Sequence, residues 1–119
     1  DLDFYMTPFY NVARKVRESA VVSGKFEEEE FNPDDPERIC RFIQQTDRMC
    51  LAYKILGCGR TARTQEEAAE SFKWAFARIK PGDAVVVGMF PKYVDQPGLN
   101  VRYTAEAIAA AEKEWVKLV

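Results

Sequence analysis

The chain has 119 residues, of which 47% are hydrophobic, 30% are charged and none is histidine, and its formal net charge is −2. This length suits one domain and excludes a closed (β/α)8 barrel, which needs about 250 residues. The composition excludes a disordered chain, and no apolar segment of about 18 residues is present that could span a membrane. The weak negative charge excludes a basic surface for nucleic acid or anionic membranes. The missing histidine excludes Ser-His-Asp and Cys-His nucleophile systems and histidine-ligated metal sites. We expect no secretory signal, and the odd number of cysteines in such a chain leads us to expect a cytoplasmic protein.

The first predicted elements are a strand over residues 2–7 and a helix that follows it. β-Branched and aromatic side chains are frequent in the strand, and Thr7 and Pro8 give a cap followed by a residue suited to the first turn of a helix. Apolar residues then recur at helical spacing over residues 9–20. The acidic segment 25–33 is predicted to be a solvated loop, with an interaction tail as the alternative.

A second helix is predicted from Asp34 or Asp35 to about Thr46. Either aspartate provides an N-cap, and Pro36 suits the first helical turn. The residues predicted to be buried along this helix are Ile39, Cys40, Phe42 and Ile43.

The central strand is predicted over residues 51–56, which are too apolar for a strand with one face in water. The glycine-flanked, basic segment 57–60 forms the turn that leaves it. Strand and turn together are typical of a β-to-α corner of an α/β protein. A second corner of this kind is predicted at residues 83–92, where small and β-branched residues end at Gly88.

One amphipathic helix is predicted between the two corners. Thr64 and Glu67 form a capping box at its start. Its inward residues are predicted to be Ala68, Phe72, Ala75, Phe76 and Ile79. After a Pro- and Gly-bearing loop over residues 90–98, a last helix is predicted over about residues 104–118. The residues predicted to face inward from it are Ala105, Ile108, Ala111 or Glu112, and Trp115.

Helices separate the three predicted strands, which favours right-handed crossovers and a parallel sheet. Three such units supply helices for one face of the sheet, whereas an all-parallel sheet needs both faces covered. The bare face is predicted to hold either Leu51, Tyr53 and Ile55 or Ala52, Lys54 and Leu56, together with Val85 or Val86. Because exposed apolar faces and unpaired edges are unstable in water, we predict a homodimer or higher homo-oligomer.

A resemblance to a known family rests on three segments, DFYMTPFYN, CLAYKILGCGR and DAVVVGMFPK. In this order they are similar to the last three βα units of an aldo-keto reductase-like (β/α)8 barrel. The resemblance implies that residues 1–119 are one half TIM barrel, which we expect to be completed by self-association. This half corresponds to the part of the family's barrel that holds the phosphates of NADP(H). The matching positions are Phe9-Tyr10-Asn11, Leu51-Ala52-Tyr53, Leu56-Gly57 and Val85 to Gly88.

The chain departs from the family in its catalytic residues. The family's Asp-Tyr-Lys-His tetrad belongs to the other half of the barrel and has no counterpart here. Lys54 and Ile55 also differ from the small or polar residue and the proline that the family has at these positions. The resemblance therefore implies anion binding without carrying over reductase chemistry.

The two loops at the strand ends are the predicted cofactor site. In many barrels, phosphate binds between the loops that follow the last two strands. The glycines would let backbone N–H groups approach phosphate or NADP(H), and Arg60 would hold the anion through two parallel hydrogen bonds. Alternatively, the glycines only end the strands and the cations are solvated. The predicted binding residues are Gly57, Gly59 and Arg60 on one wall, with Cys58 between them, and Gly88, Met89 and Lys92 on the other.

Lys54 is the one candidate catalytic residue. A desolvated lysine on a barrel strand can form a Schiff base with a carbonyl substrate. The structural alternative is that Lys54 pairs with Asp3 or Asp83 across the sheet, or reaches water at the strand end.

The three cysteines, Cys40, Cys50 and Cys58, have neither the spacing of a zinc ribbon nor that of a redox CxxC motif. We predict that they are reduced thiols. Cys58, between two glycines, is more typical of an inert thiol than of a nucleophile because no base lies beside it in the sequence.

Two kinds of function follow from these residues. In the first, the protein is a half barrel without demonstrable catalysis that binds phosphate or a nucleotide at the two loops. In the second, it is a small enzyme, either an NADP-dependent oxidoreductase completed by another chain or a carbonyl enzyme that uses Lys54.

Overall fold

The computed structural model of the protein describes residues 2–11, 13–14, 22, 24 and 29–117. Within these residues the chain forms strands, three α-helices and one 3₁₀ turn. In chain order they are β1 (Phe4–Pro8), β2 (Ala13–Arg14), β3 (Glu29–Glu30), α1 (Asp35–Gln45), β4 (Met49–Tyr53), the 3₁₀ turn (Gly57–Gly59), α2 (Gln65–Phe76), β5 (Ala84–Val86) and α3 (Gln96–Lys117). No helix in this described part of the chain is both long enough and apolar enough to cross a membrane.

Three of the strands form a parallel sheet in the order β1-β4-β5. One row across the sheet consists of Met6, Leu51 and Ala84. The order of these strands in space is also their order in the chain. α1 lies between β1 and β4 in the chain, and α2 lies between β4 and β5. The predicted α/β class with a parallel sheet is confirmed.

The segment between β1 and α1 differs from the prediction where it is described. Ala13 and Arg14 lie in β2, which pairs antiparallel with β3, instead of in a helix. Phe9 continues the extended chain, because its N–H donates to the carbonyl oxygen of Tyr53 at 2.9 Å. Pairing between segments thus replaces the local helical hydrogen bonds that the spacing of apolar residues favours. The remaining positions of the predicted helix and of the acidic loop, at residues 12, 15–20 and 25–28, lie outside the described residues.

α1 begins and ends at the predicted positions, but the Asp34 side chain makes no capping hydrogen bond. Asp34 precedes its first residue and Thr46 follows its last. Two residues of the predicted stripe, Cys40 and Ile43, are buried in the core. Phe42 of the same stripe is exposed, because its ring packs only edge-on against one side chain of β1.

α2 has the predicted capping box with one change. The N–H of Glu67 donates to Thr64 Oγ1 at 3.2 Å, but the Glu67 carboxylate accepts from the N–H of Arg63 at 2.8 Å instead of that of Thr64. The Arg63 guanidinium also donates to this carboxylate, and the hydrogen bonds from Arg63 lower the pKa of Glu67. All the inward residues predicted for this helix are buried.

One face of the sheet packs against the helices and forms the core. β1 contributes Thr7, and β4 contributes Cys50 and Ala52. Phe72 of α2 and Tyr103 of α3 lie with their ring centroids 6.0 Å apart and join these two helices. The other buried members of the core are Phe9, Cys40, Ile43, Ile55, Ala68, Ala75, Phe76, Ile79 and Ala107.

The opposite face of the sheet exposes large apolar side chains, as predicted. Of the two predicted sets, this face holds the one with Leu51 and Tyr53, which lie in register with the other strands. Ile55 of that set is buried in the core instead, because the chain has left the strand before reaching it. The large apolar side chains exposed on this face are Phe4, Met6, Met49 and Val86.

The last helix begins earlier than predicted. α3 begins at Gln96 rather than near residue 104. Asp95 caps it, since its Oδ1 accepts from the N–H of Gly98 at 3.1 Å. Pro97 is tolerated in the first turn because a backbone N–H there has no acceptor within the helix.

The inward face of α3 agrees with the prediction in part. Ala111 is buried and Ile108 packs partly buried against the core, as predicted, whereas Ala105 is exposed. Tyr103 and Ala107 are also buried, which the prediction did not include. Tyr103 fixes this face, because its hydroxyl donates to Gln65 Oε1 of α2 at 3.2 Å.

Thr7 offers a test of the packing in β1. Its side chain is buried, and its hydroxyl has no hydrogen-bond partner among the described residues. A buried unpaired hydroxyl costs about 1–3 kcal/mol, and valine has nearly the same shape. We therefore expect Thr7→Val to raise the free energy of unfolding by about 1 kcal/mol in urea denaturation. Thr64→Val should lower it by about 1 kcal/mol because it removes the N-cap, and an equal loss for Thr7→Val would contradict the prediction.

Candidate functional site

The carboxyl ends of β4 and β5 lie side by side, because the two strands are parallel neighbours. Parts of the loops that leave them, residues 54–56, 58–59 and 87–90, line a cavity of about 590 Å³, which we call the carboxyl-edge cavity. Gln65 and Gln96, the first residues of α2 and α3, border it as well. Residues of both predicted loops therefore line one cavity.

The loop after β4 uses its own backbone to make a tight turn. The N–H of Gly57 donates to the carbonyl oxygen of Lys54 at 2.9 Å, that of Gly59 to Leu56 at 2.8 Å and that of Arg60 to Gly57 at 3.2 Å. These amides are therefore already paired. The glycines of this loop close the turn instead of offering their N–H groups to an anion.

The loop after β5 is more open. Within the described part of the chain, no hydrogen bond uses the amides of Gly88 and Met89, and both residues line the cavity. The N–H of Phe90 donates to Gln96 Oε1 at 2.6 Å, which ties this loop to the start of α3. Two backbone donors are thus available at this wall.

Lys54 is the only charged residue, of those described, that lines the cavity. It follows the last residue of β4, and its φ of 59° is in the left-handed region, which costs an L-residue about 1–2 kcal/mol. Its Nζ lies 5.7 Å from the centroid of the Tyr53 ring. Asp83, one of the carboxylates expected to pair with it, pairs instead with Lys80, whose Nζ lies 3.0 Å from Asp83 Oδ2. A cation without a carboxylate in the same cavity favours an anionic ligand.

Some of the other predicted binding residues line the cavity, and the rest lie elsewhere. Gly59, Gly88 and Met89 line the cavity together. The Arg60 guanidinium stacks on the Phe31 ring, 3.8 Å from its centroid, and Arg60 lines a separate cavity on the other side of the loop. Lys92 is exposed beside the Tyr93 ring, and Gly57 is buried under the turn. Lys54, and not Arg60 or Lys92, is therefore the described cation that lines this cavity.

All three cysteines are free thiols. Burial raises the pKa of Cys40 to about 11. Burial also raises the pKa of Cys50, against the smaller opposing effect of the Lys80 charge. Cys58 is exposed and lines the cavity, so it is the thiol that a reagent in solution reaches.

Sequence reasoning misses the amide side chains of the cavity. Gln65, Gln96 and Asn100 line it, and each can donate and accept hydrogen bonds. The sequence does contain a signal for two of them, Gln96 and Asn100. Asp95 followed by Pro97 is typical of the start of a helix, and this helix start places the first turns of α3 at the strand ends.

Comparison with family models, with curated proteins and with solved structures finds no match to this chain. The resemblance to the aldo-keto reductases stays a prediction from three short motifs. The function of the candidate site therefore has to be inferred from the geometry of the site.

Proposed function

We propose that the protein is a partial (β/α) barrel that binds a small organic anion, such as a phosphate-bearing nucleotide, in the carboxyl-edge cavity. The observation that carries the proposal is the charge of the lining, in which Lys54 is a cation without a carboxylate among the described residues. In a half-enclosed site, such a cation attracts an anion more strongly than it does in water. The amides of Gly88 and Met89 supply further donors for the same group.

The remaining walls favour a ligand that also has an apolar part. Tyr53, Leu56, Val86 and Phe90 line the cavity. Its volume of about 590 Å³ falls in the usual range of roughly 300–1,000 Å³ for small-molecule sites. A free phosphate would leave most of this space to water, whereas a nucleotide would place a ring against the aromatic side chains. The resemblance to the NADP(H) phosphate site points to the same ligand class.

The uncovered face and the strand order support the partial barrel in this proposal. The three parallel strands follow one another in space as they do in the chain, as neighbouring strands of a (β/α)8 barrel do. Their exposed apolar face needs a cover. In this reading, copies of the chain complete one another as a homodimer or a higher homo-oligomer.

We expect NADP(H) to protect the protein against thermal unfolding through Lys54. A ligand at 100 times its Kd adds about 2.7 kcal/mol of stability, which raises Tm by roughly 10 °C for a chain of this size. Lys54→Ala should lose this protection, as measured by thermal denaturation with NADP(H), with inorganic phosphate and without ligand. Phosphate alone should protect less, because it leaves the apolar walls empty.

Two variants make this test specific. Lys54→Gly removes the same cation but suits the left-handed backbone, so its loss of protection cannot be attributed to misfolding. Lys92→Ala removes an exposed lysine outside the cavity and should keep full protection. Protection that survives in both Lys54 variants, or that is absent from the unaltered protein with either ligand, would reject the proposal.

A further inference from the structure

The bare face of the sheet is a continuous apolar surface. Its exposed residues come from β1, β4 and β5. They are Phe4 (46% exposed), Met6 (52%), Met49 (43%) and Val86 (46%). We call this surface the open face.

The open face is large enough for an interface between two copies. With about 200 Å² for one large apolar side chain, these exposed fractions leave roughly 370 Å² per copy uncovered. Two copies placed face to face would bury about 750 Å² from these side chains. The half-buried residues between them, Leu51, Tyr53 and Ala84, bring the area toward the roughly 1,000 Å² that a specific interface needs.

The chemistry of the open face suits an identical partner. In a twofold dimer, each residue near the axis meets its own copy, so a charged residue there would meet a like charge. The residues that the strand register places on the open face are all uncharged, namely Phe4, Met6, Met49, Leu51, Tyr53, Ala84 and Val86. Two chains with a formal charge of −2 each can therefore meet at this surface without bringing charges together.

The open face continues into the carboxyl-edge cavity. Tyr53 and Val86 belong to the outer ends of β4 and β5, lie in one row of the sheet and also line the cavity. Val86 is exposed, so the cavity is open on this flank. A second copy seated on the open face would supply the missing wall.

From this continuity we infer that a second copy of this chain docks on the open face and closes the flank of the carboxyl-edge cavity at Tyr53 and Val86. The inference rests on the self-association in the proposed function and not on any ligand. The inference has a consequence for ligand binding. A ligand that prefers the closed cavity stabilises the dimer, and dimerisation increases the affinity for that ligand by the same factor.

The first experiment measures molar mass by light scattering over a range of protein concentrations without ligand. The unaltered chain should be a dimer that dissociates on dilution. Met6→Glu should raise the dissociation constant at least 100-fold, because each copy would bury an unpaired carboxylate. Val101→Glu makes a comparable change on α3, beside a second apolar groove that also involves β5, and should leave the dimer intact.

The second experiment tests closure of the cavity. Val86→Cys in a Cys58→Ser background carries one exposed thiol, since Cys40 and Cys50 are buried. At protein concentrations above the dissociation constant of the dimer, this thiol should react with a thiol reagent at least tenfold more slowly than it does in the dilute monomer. The same thiol with Met6→Glu added should react rapidly at every concentration.

The outcomes separate the two proposals. A monomer at all concentrations, a dimer broken by Val101→Glu but not by Met6→Glu, or a thiol at position 86 that reacts equally in monomer and dimer would each overturn the inference. A dimer that behaves as expected but gains no protection from NADP(H) or phosphate would reject only the proposed ligand.

Discussion

Asp83→Ala is expected to lower the free energy of unfolding by about 4 kcal/mol. The side chain of Asp83 is 1% exposed, and its two oxygens accept from the backbone N–H groups of Cys50 and Lys80, each at 2.8 Å. Lys80 Nζ donates to the same oxygens at 3.1 and 3.0 Å. Alanine leaves two amides and an ammonium group without their acceptor, and removing one partner of a buried ion pair costs about 3–5 kcal/mol.

The position of Asp83 makes this effect larger than that of an ordinary ion pair. It joins the turn before β5 to the start of β4, and so holds the register in which Leu51 pairs with Ala84. Urea denaturation of Asp83→Ala measures the loss directly. Asp47→Ala is the matched control, because this carboxylate is 93% exposed beside Arg48 and should change stability by less than about 0.5 kcal/mol. A similar small change for Asp83→Ala would mean that its hydrogen bonds contribute little.

The elements of the central region could be predicted because their signals are local. In α2, Thr64 and Glu67 mark the start, and apolar residues at helical spacing mark the buried face. The apolar runs before the two glycine-bearing loops mark β4 and β5, and the helix between them requires that the strands run parallel. The exposed apolar face follows from the same reasoning, since an all-parallel sheet needs helices on both faces and three consecutive βα units supply them for one.

The failures have non-local causes. β2 depends on a pairing with β3, which lies in another part of the chain, and no property of Ala13 or Arg14 alone favours it over a helix. α3 begins early because Asp95 provides a cap, and this outweighs the loop character of a Pro-Gly pair.

The candidate site shows the same division between local and non-local signals. Its loops are local features of the sequence, so the sequence predicts Gly59, Gly88 and Met89 at one site. The direction of each cation depends on its neighbours in space, and the Arg60 guanidinium stacks on Phe31, which is distant in sequence. Among the cations that the structure describes, only Lys54, fixed by its place at the end of β4, lines the cavity.

Phe72→Ala is expected to lower the free energy of unfolding by about 4 kcal/mol. Phe72 is 1% exposed and packs against Tyr103 with the ring centroids 6.0 Å apart, so it fills the space between α2 and α3. Truncation removes the transfer free energy of the ring and leaves a void, because the packed helices close it only in part. Phe72→Leu should cost less, since it keeps most of the buried volume.

This substitution should also reach the candidate site. Tyr103 holds Gln65 by a hydrogen bond, and α3 carries Gln96 and Asn100, so loosening the contact between the helices disturbs three lining residues. Urea denaturation gives the stability of Phe72→Ala, and Phe90→Ala is the matched control, because the Phe90 side chain is 67% exposed and its loss should cost less than about 1 kcal/mol. If Phe72→Ala were as mild as Phe90→Ala, the packing between α2 and α3 would not hold the cavity in shape, and its walls would have to be stabilised by the sheet and the strand loops alone.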